Sequence, residues 1–306
     1  MIFEKHKEKL SNWIEQVNRK RVLLLPYAWF TLFLVIPFCI LLKVSFSSYT
    51  YGVPPYGDVF KWVENQYLEI KLYLSHYVSF FQDALYVNIY LSSIRIAFTA
   101  TMTTLCVAYP FAYAVHSVSK KWRVPLILMV VLPFYTSFLL RIYAWIGVLN
   151  GSGVVNTILM KLGIISEPIQ FLYTEFAVIL GMVYCYLPFV LVPIYMSLER
   201  MDKSLLEAAY DLGATPFRVF FSITIPITIR GILAGFTLMF VPAIGEFIIP
   251  EILGGSSTLM IGRVLWNEFF HNHDWPLAAA MAIMMFIFIA IPLTLLQRIE
   301  TEDVRK

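Results

Sequence analysis

Ionisable side chains are scarce in this sequence, so the few that stand in apolar surroundings are where chemistry can happen. Glu246 is the clearest case. It lies in GILAGFTLMFVPAIGEFIIPEILGG, Gly231 to Gly255, an apolar run interrupted by Pro242, Gly245 and Pro250. A carboxylate at such a depth is costly unless it is paired, protonated or facing water, and such groups mark solute and ion pathways. Its chemistry is charge recognition. The carboxylate either pairs with Arg141 or Arg95, which stand at similar depth, or lines a path for a cationic solute. Bond-making chemistry finds no constellation: neither H-E-x-x-H nor G-x-S-x-G occurs, and no Ser/His pair stands at membrane depth. His271 and His273 are in H-x-H spacing without further ligands and read as loop histidines. Cys39, Cys106 and Cys185 sit far apart in apolar runs and read as small core residues, not as a metal site or a disulfide framework. The chain is expected to be neither an enzyme nor a metalloprotein.

The elements that must position these groups follow from composition. With 59% hydrophobic and 14% charged residues and a mean hydropathy of +0.72, this is an integral membrane protein. No G-x-x-x-x-G-K-[ST] occurs, so the chain binds no nucleotide of its own, and no nucleic-acid partner is expected. Six segments approach the roughly 20 apolar residues that a spanning helix needs: Val22 to Phe46, Ser92 to Val115, Val124 to Leu140, Phe176 to Leu198, Ile227 to Ile249 and Leu277 to Leu296. Of the 23 Lys and Arg, sixteen fall in the N-terminal segment, around Lys120, between Arg200 and Arg230, and in the tail. The positive-inside rule then places both termini and the 200–226 loop in the cytoplasm. Residues 1–21 read as a cytoplasmic amphipathic helix, and 298–306 as a cytoplasmic tail. The membrane body runs over 22–297, with an aromatic, mildly acidic external loop at 47–83.

Within the body, Pro133 is expected to kink the third segment, LPFYTSFLLRIYAW (Leu132 to Trp145), and the helical pattern stops at Asn150 to Gly153. Val154 to Leu162 then reads as a short surface helix. The fourth segment contains Tyr184, Tyr186, Pro188 and Pro193, and packing or a lined cavity must satisfy the carbonyls that its prolines free.

A second group of residues stands in the polar interlude EAAYDLGATPFRVFFSITIP, Glu207 to Pro226. Ser204 and Glu207 have capping-box spacing, Gly213 is placed for a left-handed cap, and Thr215 with Pro216 offers a fresh N-cap and first-turn proline. The stretch reads as helix, glycine turn, helix. Ala208 and Ala209 leave its backbone open to another protein's surface, and Glu207 and Asp211 supply charge. As a bare reading, such a hairpin can be no more than a connector.

The spacing resembles the E-A-A-x3-G-x9-I-x-L-P signature of the inner-membrane permeases of binding-protein-dependent ABC importers, with Glu207, Ala208, Ala209, Gly213, Ile223 and Pro226 in place and Ile225 in the Leu position. The resemblance implies an all-α, six-helix type I importer fold with both termini inside, and a coupling helix, carried by Glu207, Ala208, Ala209, Asp211 and Gly213, that docks on a separate ATPase. GEFIIPEILGG, MIGRVLWNEFF, DWPLAAA and LPFYTSFLLRIYAW narrow it: they look like the first of two permease subunits in bacterial polyamine importers, most similar to the putrescine type. That implies a bacterial inner-membrane protein, surrounded by lipid, with a second homologous permease, two ATPase subunits that carry ATP and Mg, and a periplasmic polyamine-binding protein. A polyamine path needs carboxylates and aromatic walls, and Glu246, Glu251, Tyr184, Tyr186 and Trp266 have that chemistry. A permease for another small solute keeps the same coupling loop. A secondary transporter would show paired broken helices in two halves, which are not evident.

Overall fold

An uncharged apolar run inside a bilayer has no solvent for its N–H and C=O groups, and an α-helix satisfies them all within the segment. The computed structural model describes residues 24–63, 67–256 and 258–303, and these are mainly helical. The reading of residues 1–21 as an amphipathic helix lies outside the described residues. The chain divides into two compact units, Met1–Ser79 with Asn272–Met284, and Phe80–His271 with Met285–Lys306.

In the first unit, α1 (Leu24–Ser45, 22 residues) is long and apolar enough to span. One π-turn, Thr31–Val35, lies inside it. The loop beyond α1 contains a β-hairpin, β1 (Phe60–Val63) and β2 (Tyr67–Ile70), antiparallel with Phe60 opposite Ile70. Apart from this short hairpin the named elements among the described residues are helices, as the all-α expectation has it. Tyr73 N donates to Phe46 O at 2.9 Å and Tyr77 OH to Ser45 Oγ at 2.7 Å, so backbone and hydroxyl bonds pin the loop's return to the end of α1. Helix α2 (Ser75–Gln82) follows.

The second unit is built on α3 (Ala84–Ser117), α7 (Glu175–Glu199) and α9 (Pro216–Ile244). Asp83 caps α3 by accepting from Leu85 N at 2.8 Å, so the second span starts at Ala84 rather than Ser92. The three helices approach through small residues. Ala97, Ala100, Ala108 and Ala112 of α3 are fully buried. On α9, Gly231 and Gly235 stand in G-x-x-x-G spacing; a Cβ at Gly231 would lie 2.5 Å from Ser197 Cβ, and one at Gly235 would lie 3.0 Å from Val190 O. Close backbone approach of this kind drives helix association where the surroundings are already apolar.

Between α3 and α7 the expected single span, Val124 to Leu140, is not one helix. It divides into α4 (Lys120–Val131), a 3-10 turn (Leu132–Tyr135) and α5 (Phe138–Leu149). Pro133 tightens the turn, Thr136 goes extended with ψ 159°, and the ladder restarts after Ser137. The short α6 (Val154–Lys161) stands as the sequence predicts. Helix α8 (Lys203–Asp211) precedes α9, which begins at Pro216 and not at Ile227, with a π-turn at Phe220–Thr224. The fifth run breaks at Gly245 and continues as α10 (Ile248–Leu253) and α11 (Ile261–Phe270). Helix α12 (Trp275–Asp303) closes the chain. Among the described residues, five helical stretches have spanning length and apolarity, and the Trp275–Ile291 part of α12 is a shorter apolar sixth. Cys185 is buried as expected, whereas Cys39 and Cys106 are exposed on outward helix faces and are not core residues.

Candidate functional site

Helix α8 is positioned by local hydrogen bonds at both ends. Its N-cap is Asp202, whose Oδ1 accepts from Ser204 N at 3.0 Å; the Ser204–Glu207 capping box does not form. Asp202 starts the helix before Ser204 is reached, and Glu207 is left exposed with no side-chain partner among the described residues. The Ser204 N–H holds the Asp202 carboxyl below its usual range. The cap is therefore fully present at neutral pH and is lost only as pH falls through that lowered value.

The C-terminal end is a complete Schellman turn: Gly213 N donates to Tyr210 O at 2.9 Å and Ala214 N to Ala209 O at 3.0 Å, with Gly213 at φ 79°. Thr215 Oγ1 then accepts from Arg218 N at 3.4 Å, and Pro216 opens α9. Ala209 is turned inward, and Ala208 and Asp211 are exposed. The hairpin also presents an apolar face that spacing did not single out, with Leu212 88% and Phe217 75% exposed beside Leu205, Tyr210 and Phe221. Lys203, Glu207 and Asp211 are exposed on the same hairpin, and exposed apolar side chains gathered among polar ones are a feature of interaction surfaces. Its signal was in the sequence: Leu212 precedes the turn glycine and Phe217 follows the capping proline, where no helix face can shelter them.

Just before α8, Glu199 at the end of α7 gathers the ends of α3 and α4 and a tyrosine of α7 itself. Arg123 Nη1 donates to its Oε2 at 2.6 Å, Tyr195 OH at 3.1 Å, and His116 Nδ1 lies 3.5 Å away. Arg123 Nε also donates to Val118 O at 3.1 Å. This cluster ties the end of α7 to α3 and α4. Sequence reasoning counted Arg123 only as a topogenic charge.

The second site is built around Glu246, which sits in the break between α9 and α10 and is only 8% exposed. Its Oε1 accepts from Phe247 N at 3.1 Å and Ile248 N at 2.9 Å, and its Oε2 accepts from Tyr186 OH at 2.5 Å. The break at Gly245 frees those amides, which is why a carboxylate is stable there without a cation. Neither expected ion pair is present. Arg95 pairs with Glu175 at 2.5 Å, and Arg141 forms no ion pair among the described residues.

Aromatic rings flank the carboxylate. Phe247 stacks on Trp266 at 4.4 Å, Tyr186 packs with Phe189 at 6.1 Å, and Phe189 meets Phe134 edge-on at 5.4 Å. Tyr184 is 38% exposed and turns to Trp145 at 5.6 Å, on the other side of α7 from the Tyr186 hydroxyl's partner. Glu251 is not a free carboxylate: it is bound by Arg263 Nε, while Arg263 Nη1 donates to Gly255 O. The structure thus brings Glu246, Tyr186 and Trp266 together around α10 and leaves Tyr184 facing elsewhere. Exposed His271 and His273 join no metal-binding group, and none occurs among the described residues.

A bundle of apolar helices with a capped hairpin and a buried carboxylate at a helix break has the architecture of a membrane protein. The chain belongs to the binding-protein-dependent transport system inner membrane component family, which matches residues 18–306, and it is a multi-pass inner-membrane protein. It is 36% identical over 265 residues to the "Spermidine/putrescine transport system permease protein PotB" of Haemophilus influenzae, covering 87% of this chain and 88% of that protein. The protein of the same name from Escherichia coli (strain K12) is 36% identical over 265 residues, covering 87% and 91%. Its fold is that of a chain in the crystal structure of a bacterial ABC transporter involved in the import of the acidic polysaccharide alginate. That match has a TM-score of 0.66 at 19% identity and covers 96% of this chain and 99% of the other.

Proposed function

We propose that this chain is the first permease subunit of an ATP-driven importer that carries polyamines, putrescine foremost, across the bacterial inner membrane. One observation carries the reading: the chain is more than one-third identical, over nearly all of both lengths, to proteins named for spermidine and putrescine transport. In this reading a second, homologous permease completes the channel, a periplasmic polyamine-binding protein delivers the solute, and two ATPase subunits with ATP and Mg dock on the hairpin. Glu207, Ala208, Ala209, Asp211 and Gly213 shape that contact, and Leu212 and Phe217 anchor it. Glu246 accepts an ammonium group, with Tyr186 and Trp266 as its polar and aromatic walls; Tyr184 and the Arg263-bound Glu251 contribute nearer the mouth. A flexible dication with methylene spacers suits that mixture of carboxylate and ring.

The test is uptake by the reconstituted complex, with radiolabelled putrescine, spermidine and an unrelated amino acid presented on the purified binding protein. Uptake of the two polyamines that needs ATP and the binding protein is expected. ATP-driven uptake of neither polyamine would overturn the substrate assignment, and uptake that survives without ATP but collapses with the ion gradient would reinstate a secondary transporter. Both termini are cytoplasmic in this reading. A single cysteine at Asn272 is therefore expected to react with a membrane-impermeant thiol reagent in intact cells, and one at Lys203 is not; efficient external labelling at Lys203 would reverse the orientation.

A further inference from the structure

Arg141 is a buried cation without a counter-charge. It is 8% exposed, its Nε is shielded from solvent with no acceptor, and no carboxylate of the described residues lies within ion-pair distance. What touches it is aromatic: the guanidinium carbon stands 4.3 Å from the Phe134 ring centroid and 5.7 Å from that of Phe138. Ring contact recovers only part of what desolvation of a guanidinium costs. Arg141 also lies in the first turn of α5, where the positive end of the helix adds to that cost.

The missing counter-charge is close by. From Arg141 the rings run Phe134, Phe189, Tyr186, and the Tyr186 hydroxyl ends on Glu246. Helices α5, α7 and α10 pack on one another. Opposite charges thus share one cluster and are held apart, the carboxylate by three neutral donors and the guanidinium by two rings. Each sits beside a helix interruption, Arg141 after the extended Thr136 and Glu246 after Gly245, so a rotation at either break changes the distance between them.

We propose that Arg141 is a resident cation that takes the place of the substrate ammonium on Glu246 when the site empties, a positioning residue for the translocation step. This rests on Glu246 being part of the cation path. An ammonium leaving Glu246 strips the carboxylate of its only full counter-charge inside a low-dielectric cluster; Arg141 supplies another, so release is assisted, and an arriving ammonium displaces it. A competitor of this kind weakens substrate affinity and speeds turnover together, because a ligand shifts a two-state equilibrium only by its differential affinity for the two states.

The experiment uses the assembled complex in lipid nanodiscs for ATP turnover and in liposomes for uptake, with radiolabelled putrescine on the binding protein. In Arg141→Gln, maximal uptake is expected to fall at least tenfold while KM falls at least threefold. Arg141→Lys keeps the charge and is expected to hold both within threefold of the parent. A structural role alone would lower the amount of complex without moving KM downward. Unchanged kinetics in Arg141→Gln, or a lower maximal rate with KM unchanged or raised, would overturn the proposal.

If Arg141→Gln does not assemble, the Arg141→Met/Glu246→Gln double variant removes both charges, and the cycle is completed with the Arg141→Met and Glu246→Gln single variants. The readout is ATP turnover without polyamine, which does not depend on the substrate assignment. Strictly additive effects would remove the pair while leaving the proposed path intact. Non-additive effects together with wild-type uptake in Glu246→Gln would remove the path and reduce Arg141 to a structural counter-ion.

Discussion

Replacing Gly213 by valine is expected to lower binding-protein-stimulated ATP turnover and uptake at least tenfold while leaving the amount of inserted permease within about twofold of normal. The argument is conformational, because a Cβ at Gly213 would meet nothing within 4 Å. The residue is at φ 79°, where an L residue loses roughly 1–2 kcal/mol and a β-branched one more. That is enough to unseat the two Schellman hydrogen bonds that set the angle between α8 and α9. The apolar face carrying Leu212 and Phe217 then points wrongly for any ATPase groove. Gly213→Asn, which tolerates the left-handed region, is expected to keep most activity, and this pair of variants separates backbone conformation from mere bulk. Normal stimulation in Gly213→Val would make the hairpin a connector and nothing more.

Glu246→Gln is expected to reduce polyamine uptake by at least tenfold with assembled complex unchanged to within about twofold. The amide keeps the shape and can still accept from Tyr186 or from the Phe247 and Ile248 amides, which are the bonds that hold α10 in place. What it loses is the charge. Hydrogen bonds from a cation to a carboxylate are about twice as strong as neutral ones, and the ammonium has no other carboxylate here, since Glu251 is already bound by Arg263. Wild-type uptake in a fully assembled Glu246→Gln complex would remove this residue from the path.

The two predictions differ in how far each could be read before any coordinates. Gly213, Thr215 and Pro216 were legible because a cap is a contract among residues within about five positions of one another. The same locality explains the one failure in that stretch: Ser204 and Asp202 are both good N-caps, they compete for neighbouring amides, and the earlier one starts the helix. The fifth run's interruption was legible at Gly245 for a similar reason. The continuity of the helix that opens at Pro216 with the fifth apolar run was not, because hydropathy reports where apolar residues begin, whereas α9 runs on from its proline-opened turn through a π-turn into that run.

By itself, then, the amino-acid sequence determined that the chain crosses a membrane several times, where its hairpin turns, and that Glu246 is chemically out of place in its surroundings. Each of these follows from hydropathy or from hydrogen bonds among near neighbours. Only the tertiary structure decided what Glu246 touches. Its partner Tyr186 is sixty positions away and reaches it because α7 and α10 pack together. The obvious partner, Arg141, is turned onto Phe134 by the extended residue at Thr136. Charge and depth identify which groups need a partner; which one they receive depends on where each helix breaks and how that break aims the side chain, and no spacing along the chain records that direction.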